Sequence, residues 1–186
     1  MAPLDRADVD TDQIIPKQFL KRIERSGYGA FLFYDWMQDA AFELRRPAYE
    51  GASILVAGRN FGCGSSREHA AWALDDYGFR VVLAPSFGDI FRTNAIKTGL
   101  APIALSSDDL ERVKAAIARR NELIVDLERQ EILHPDALAL HFDFDPFERE
   151  CLLNGLDDVA RTQQREVEIA AYEAAHPARF DAAALL

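Results

Sequence analysis

Cysteine is nearly absent: Cys63 and Cys151 are the only two in 186 residues. Neither lies in a C-x-x-C pair or beside a second plausible ligand, so this chain alone is poorly equipped for structural zinc or an iron–sulfur cluster. Any such metal has to come from elsewhere. Long apolar runs are also missing, and none approaches the roughly 18 to 20 residues that a membrane-spanning helix needs. The start, MAPLDRADVD, has neither the basic residues nor the apolar stretch of a signal peptide. The expectation is a cytoplasmic protein with no membrane attachment. Positive charge is in deficit: 21 Lys and Arg stand against 31 Asp and Glu, a net charge of −10. That balance repels phosphate backbones and anionic lipid, and no local basic patch offsets it, which argues against nucleic-acid partners. Neither repeats nor a low-complexity linker divides the chain, so residues 1–186 read as one domain.

What is present is the composition of a globular protein, 49% hydrophobic and 28% charged. ASILVAG, FRVVLA and LAPIAL read as buried strands. Between them, Ala70, Ala73, Leu74 and Tyr77 keep helical spacing up to Gly78, and PSFGDIFRTNAIKTG forms a second helix closed by Gly99. Asp108 with Glu111 makes a capping box for a third helix. ELIVDLERQEILH and LALHFDFD alternate like antiparallel strands. Asp145, Pro146 and Glu148 open a further helix that ends near Gly155, and Val167, Ile169, Ala170 and Tyr172 suggest a peripheral one. The pattern defines an α/β fold with a mixed sheet or small β-barrel core flanked by helices. Residues 17–42 hold neither period and are rich in aromatics, a combination open between a packed surface loop and a mobile loop that orders over a ligand or partner.

The chemistry gathers in two places. DVDTDQIIP spaces Asp8, Asp10 and Asp12 as a calcium loop does, but Gln13 and Phe19 stand where that loop needs Gly and Glu, so calcium is rejected. GRNFGCGSSREHAAWAL, residues 58–74, is a glycine turn between a strand and a helix. Unpaired N–H groups and the helix dipole favour an anion there, Gly62 and Gly64 allow close approach, and Ser65, Ser66 and Arg67 add donors. Such a turn can grip a carboxylate or phosphate. The blander reading is that a serine caps the helix and Arg67 pairs with a surface acid. The spacing fits neither a P-loop, nor G-x-G-x-x-G, nor a G-x-S-x-G elbow. Ser65 and His69 leave a serine hydrolase open, without an identifiable orienting acid.

NFGCGSSREHA, DTDQIIP and PSFGDIFRTNAIKTGLAP, with RSGYGAFLFYDW and CLLNGLD, resemble the small-subunit family of 3-isopropylmalate dehydratase, a detached relative of the aconitase swivelling domain. The resemblance runs through nearly the whole chain in order. It implies an aconitase-type swivelling domain, active only with a large subunit that carries a [4Fe-4S] cluster. The implied reaction is the interconversion of 2-isopropylmalate and 3-isopropylmalate in leucine biosynthesis. Ser65 is implied as the catalytic base, and Ser66 and Arg67 as holders of the hydroxy-dicarboxylate substrate; no metal ligand is implied in this chain. A small subunit for a related hydroxy-diacid, or a stand-alone anion-binding module, remain the alternatives.

Overall fold

The computed structural model describes residues 1–22, 24–136 and 138–176. The chain divides into two compact units, Met1–Gly155 and Leu156–Leu186.

In the first unit, β1 (Ala2–Leu4), β2 (Ile54–Ala57), β3 (Val81–Ala84) and β4 (Ala101–Ala104) form a parallel sheet in that order. All four residues of β2 are buried, the mark of a strand covered on both faces. Strand alternation sends Leu55, Ala57, Val82 and Ala84 toward one core cluster, and Ile54, Val56, Leu83 and Ile103 toward the other. The first cluster includes α2 (Glu68–Tyr77) and α3 (Asp89–Thr98) through Ala70, Leu74, Phe91 and Ala95. The second takes Leu110 and Val113 of α4 (Ser107–Arg119) and the pair Ile132 and Leu140. Each of the two outer strands of the parallel sheet contains a proline, Pro3 in β1 and Pro102 in β4.

Ile132 and Leu140 belong to a separate antiparallel sheet of β5 (Ile124–Asp126), β6 (Glu131–His134) and β7 (Leu138–His141). The α/β class stands; in place of a mixed sheet or small barrel, the two kinds of strand are segregated into two sheets. Helical crossovers supply the parallel pairs, while short turns join β5 to β7, so no strand has to pair with both kinds of neighbour.

Helix ends follow their local chemistry. Gly78 and Gly99 close α2 and α3 in left-handed conformations, as expected. The carboxylate of Asp145 accepts from the N–H groups of Phe147 and Glu148 to start α5 (Pro146–Asn154), which Gly155 ends. For α4 the cap lies earlier than the sequence suggested: the Ser106 hydroxyl accepts from the Asp109 N–H, so the helix begins at Ser107 rather than at an Asp108–Glu111 box. Two short elements escaped the sequence pattern, β1 and the single-turn α1 (Thr11–Ile14).

Residues 17–42 form a succession of short 3-10 turns. Tyr28, Leu32, Phe33 and Phe42 are fully buried among them, while Phe31 and Trp36 are half-buried. The Phe33 N–H donates to the Ile14 carbonyl at 2.8 Å, fixing this return beside α1. Exposed residues gather in Lys17–Gly27 and again at Gln38–Ala41. In the second unit, α6 (Asp158–Gln163) precedes α7 (Glu166–Ala175), on which Val167 and Tyr172 are exposed.

Candidate active site

Parallel strands deliver their connecting loops to one end of the sheet, and here the loops after β1, β2 and β3 meet there. The first loop reaches across to the second: the N–H groups of Gly62 and Cys63 both donate to the Val9 carbonyl, at 2.7 and 3.2 Å. In return the Thr11 N–H donates to the Cys63 carbonyl at 3.0 Å, and the Thr11 hydroxyl donates to the Ser65 carbonyl at 2.9 Å. The third loop closes from the other side, with the Gly88 N–H on the Phe61 carbonyl at 2.9 Å. The three motifs that are far apart in sequence are one structure.

Glycine is required at the centre of it. Gly62 has φ of 74°, and a Cβ there would stand 2.2 Å from the Phe91 ring, inside any allowed contact. A Cβ on Gly88 would meet the Gly62 carbonyl oxygen at 2.5 Å. The turn is therefore packed from below by Phe91 and from the side by backbone.

Beyond that packed floor the turn opens to solvent. Ser65 and Ser66 are exposed, and among the described residues neither hydroxyl has a hydrogen-bond partner. The N–H groups of Gly64, Ser65 and Ser66 likewise make no hydrogen bond among the described residues. Helix α2 begins only at Glu68 with Arg67 as its N-cap, which makes no side-chain cap bond. The capping explanation for the serines thus fails: neither hydroxyl oxygen accepts from an N–H of the first turn of α2.

Arg67 is positioned by α1. Its guanidinium pairs with both carboxylate oxygens of Asp12, at 2.5 and 2.8 Å, and reaches the Ile15 carbonyl at 3.5 Å. Asp12 also accepts from the Lys17 N–H, and Asp10 caps the same helix turn with Gln13 as its reciprocal partner. Hydrogen bonding to Arg67 holds the Asp12 carboxyl below the usual carboxylate range and raises Arg67 in turn. A half-exposed ion pair adds only about 0–1 kcal/mol to folding. Orientation of the fork is the larger effect, because two fixed contacts leave the remaining donors of the planar group aimed in one direction. Asp12 is the residue of the candidate site that sequence reasoning missed. The calcium test discarded the DVDTD spacing as a whole, although each acid has its own separate partner.

Next to Asp12 a groove of about 350 Å³ runs between Pro16, Lys17, Gln18 and Trp36. Cys63 sits within the turn, half-buried; burial, followed by the charges of Asp10 and Asp8, pushes its thiol up, so it stays protonated. His69 is turned away from serine chemistry. Its ring lies 5.1 Å from Tyr28 and 4.7 Å from Trp72, and burial lowers its basicity. No hydrogen bond joins it to Ser65 among the described residues, so the hydrolase alternative lacks its base.

These features define an α/β domain that presents an exposed serine turn with unpartnered N–H groups, among the described residues, at the carboxyl ends of a parallel sheet. The family model for the aconitase C-terminal domain matches residues 1–108. The chain belongs to that family. It is 53% identical over 182 residues to the 3-isopropylmalate dehydratase small subunit of Acidobacterium capsulatum, covering 97% of this chain and 88% of that protein. Against the protein of the same name in Bacillus subtilis the identity is 51%, over 92% of this chain and 90% of the other. Among solved structures, 3-isopropylmalate dehydratase from Methanocaldococcus jannaschii superposes with a TM-score of 0.67 at 29% identity, covering 92% of this chain and 96% of that one.

Proposed function

We propose that the chain is the small subunit of a 3-isopropylmalate dehydratase, which interconverts 2-isopropylmalate and 3-isopropylmalate by removing and re-adding water in leucine biosynthesis. It works in the cytoplasm, joined to a large subunit. The observation that carries this reading is the run of unpartnered donors at Gly64, Ser65 and Ser66 beside the oriented Arg67.

The reaction breaks a C–H bond next to a carboxylate and a C–O bond on the neighbouring carbon, and a double bond forms between them. Arg67 and Ser66 hold the carboxylate and so fix which hydrogen faces Ser65. Ser65 takes that proton from one carbon and returns one to the other when water adds back. A serine hydroxyl is a weak acid, so its alkoxide depends on donors already in place: the turn amides, the start of α2 and Arg67 supply them. The open turn must be shut off from water for those donors to have full strength, and a docked large subunit does this.

Among the described residues no group of three or more His, Cys, Asp or Glu side chains is placed to hold a metal ion. A [4Fe-4S] cluster carried by the large subunit would supply the Lewis acid that accepts the departing hydroxyl. Within residues 17–42, the stretch Lys17–Gly27 contributes the loop that orders over substrate and partner, with the groove beside Asp12 at its base.

The test is reconstitution. The chain mixed with a large subunit of the same source under anaerobic conditions should interconvert the two isopropylmalates, and either chain alone should not. A [4Fe-4S] absorbance on the small chain alone, or no turnover by the reconstituted pair, overturns the reading.

A further inference from the structure

Asp8 and Asn60 both have left-handed backbones, with φ of 55° and 56°, although neither is glycine. Such conformations are costly for residues with a Cβ and persist where the surroundings impose them, most often beside functional sites. Here they face each other. The Asn60 side-chain amide donates to one Asp8 carboxylate oxygen at 2.9 Å, and Arg59 donates to the other at 3.0 Å. The Asp8 N–H completes the staple on the Arg59 carbonyl at 2.9 Å. Asn60 is held in turn to the loop after β3, its N–H on the Ser86 hydroxyl at 2.9 Å.

Position gives this staple its leverage. The residues that follow Asp8, Val9 and Thr11, are the ones whose backbone and hydroxyl grip Gly62, Cys63 and Ser65. Arg67 is held by a different route, through Asp12 and Ile15. Rotation of the chain at Asp8 would therefore disturb the grip of Val9 and Thr11 on the turn first, since these lie nearest to it, and the contacts of Asp12 and Ile15 after them.

We propose that Asp8 is a positioning residue for the reaction: it locks the loop after β1 against the loop after β2 and so sets where Ser65 stands. This rests on the functional reading above. The surface exposure of Asp8 and Arg59 makes a stabilising role small, since exposed pairs contribute little to folding. The lock acts through geometry.

Asp8→Gly tolerates the left-handed backbone and removes only the tether, so the fold is preserved. In the reconstituted enzyme it should lower kcat roughly 10- to 100-fold, the scale of a small misplacement of a reacting group, with KM within about twofold. Asp8→Asn keeps an acceptor for Asn60 and the tolerance for positive φ, and should recover kcat to within about threefold of the wild type. In the free chain, Asp8→Gly should also speed amide exchange at Gly62 and Cys63, whose N–H groups the Val9 carbonyl holds, by about tenfold. Unchanged kcat in the glycine variant, or an asparagine variant as impaired as glycine, overturns the proposal. Should the wild-type pair show no turnover, the functional reading fails instead, and unchanged exchange at Gly62 and Cys63 would then overturn the lock on its own.

Discussion

Ser65 stands on a turn whose floor is Phe91 and whose sides are backbone, so removing its hydroxyl disturbs nothing that packs. Ser65→Ala should therefore abolish turnover in the reconstituted enzyme while the affinity for the large subunit and the cluster content stay at wild-type levels; near-normal kcat would remove the base assignment. Ser66→Ala should lose less, because water can replace a donor on an open turn. Arg67→Lys exchanges an oriented fork for a point charge and gives Asp12 one contact from residue 67 in place of two. It should lower kcat and raise KM together, a loss on the order of 2–4 kcal/mol in transition-state stabilisation. Kinetics at wild-type level would make Arg67 a structural residue. At this scale the sequence was legible where residue types cluster: the glycines, serines and Arg67 are contiguous, and their chemistry can be weighed directly. Asp12 was not, because its partner lies 55 positions away and only the fold brings them together.

Elements were readable where their punctuation was strong. Gly78, Gly99 and the Asp145–Pro146 start fixed helix ends to within a residue, because each has a backbone reason that does not depend on tertiary context. Strand β1 was invisible, since Ala2–Leu4 is too short to show a period and becomes a strand only by pairing with Leu55–Ala57. The segment 17–42 divides at Tyr28. This side chain is fully buried, its N–H donates to Asp76 at 2.8 Å, and its ring packs near His69 and Trp72. Hydrogen exchange in the free chain should be slow at Tyr28 and Phe33 and fast across Lys17–Gly27, and the fast part should slow when the large subunit is added. Protection of Lys17–Gly27 without the partner would rule out a loop that orders on assembly.

At the level of the whole molecule, stability should follow pH through groups whose proton affinity the fold lowers. Burial disfavours the charged form of His69, so the unfolded chain binds the proton more readily. The folded chain should keep its full stability above the ordinary histidine value near 6.5 and lose some as pH falls from there toward the lower folded value. Asp12, held down by Arg67, adds a second loss only in the acid range, where its carboxylate takes a proton. Melting temperatures followed from about pH 8 down to about pH 2 should show both steps, the second below about pH 4, and His69→Gln should erase the first; a flat profile for the wild type would contradict it.

The two prolines at the margins of the parallel sheet have a consequence for handling the protein by itself. A sheet open on both sides offers its outermost strands as templates for any extended chain that drifts by, and this is how many soluble proteins begin to clump. Pro3 and Pro102 each lack the amide hydrogen that such a newcomer would need, so neither border can be zipped up continuously. A subunit that spends time without its partner, its reactive face uncovered, is thereby kept from sticking to copies of itself along its borders.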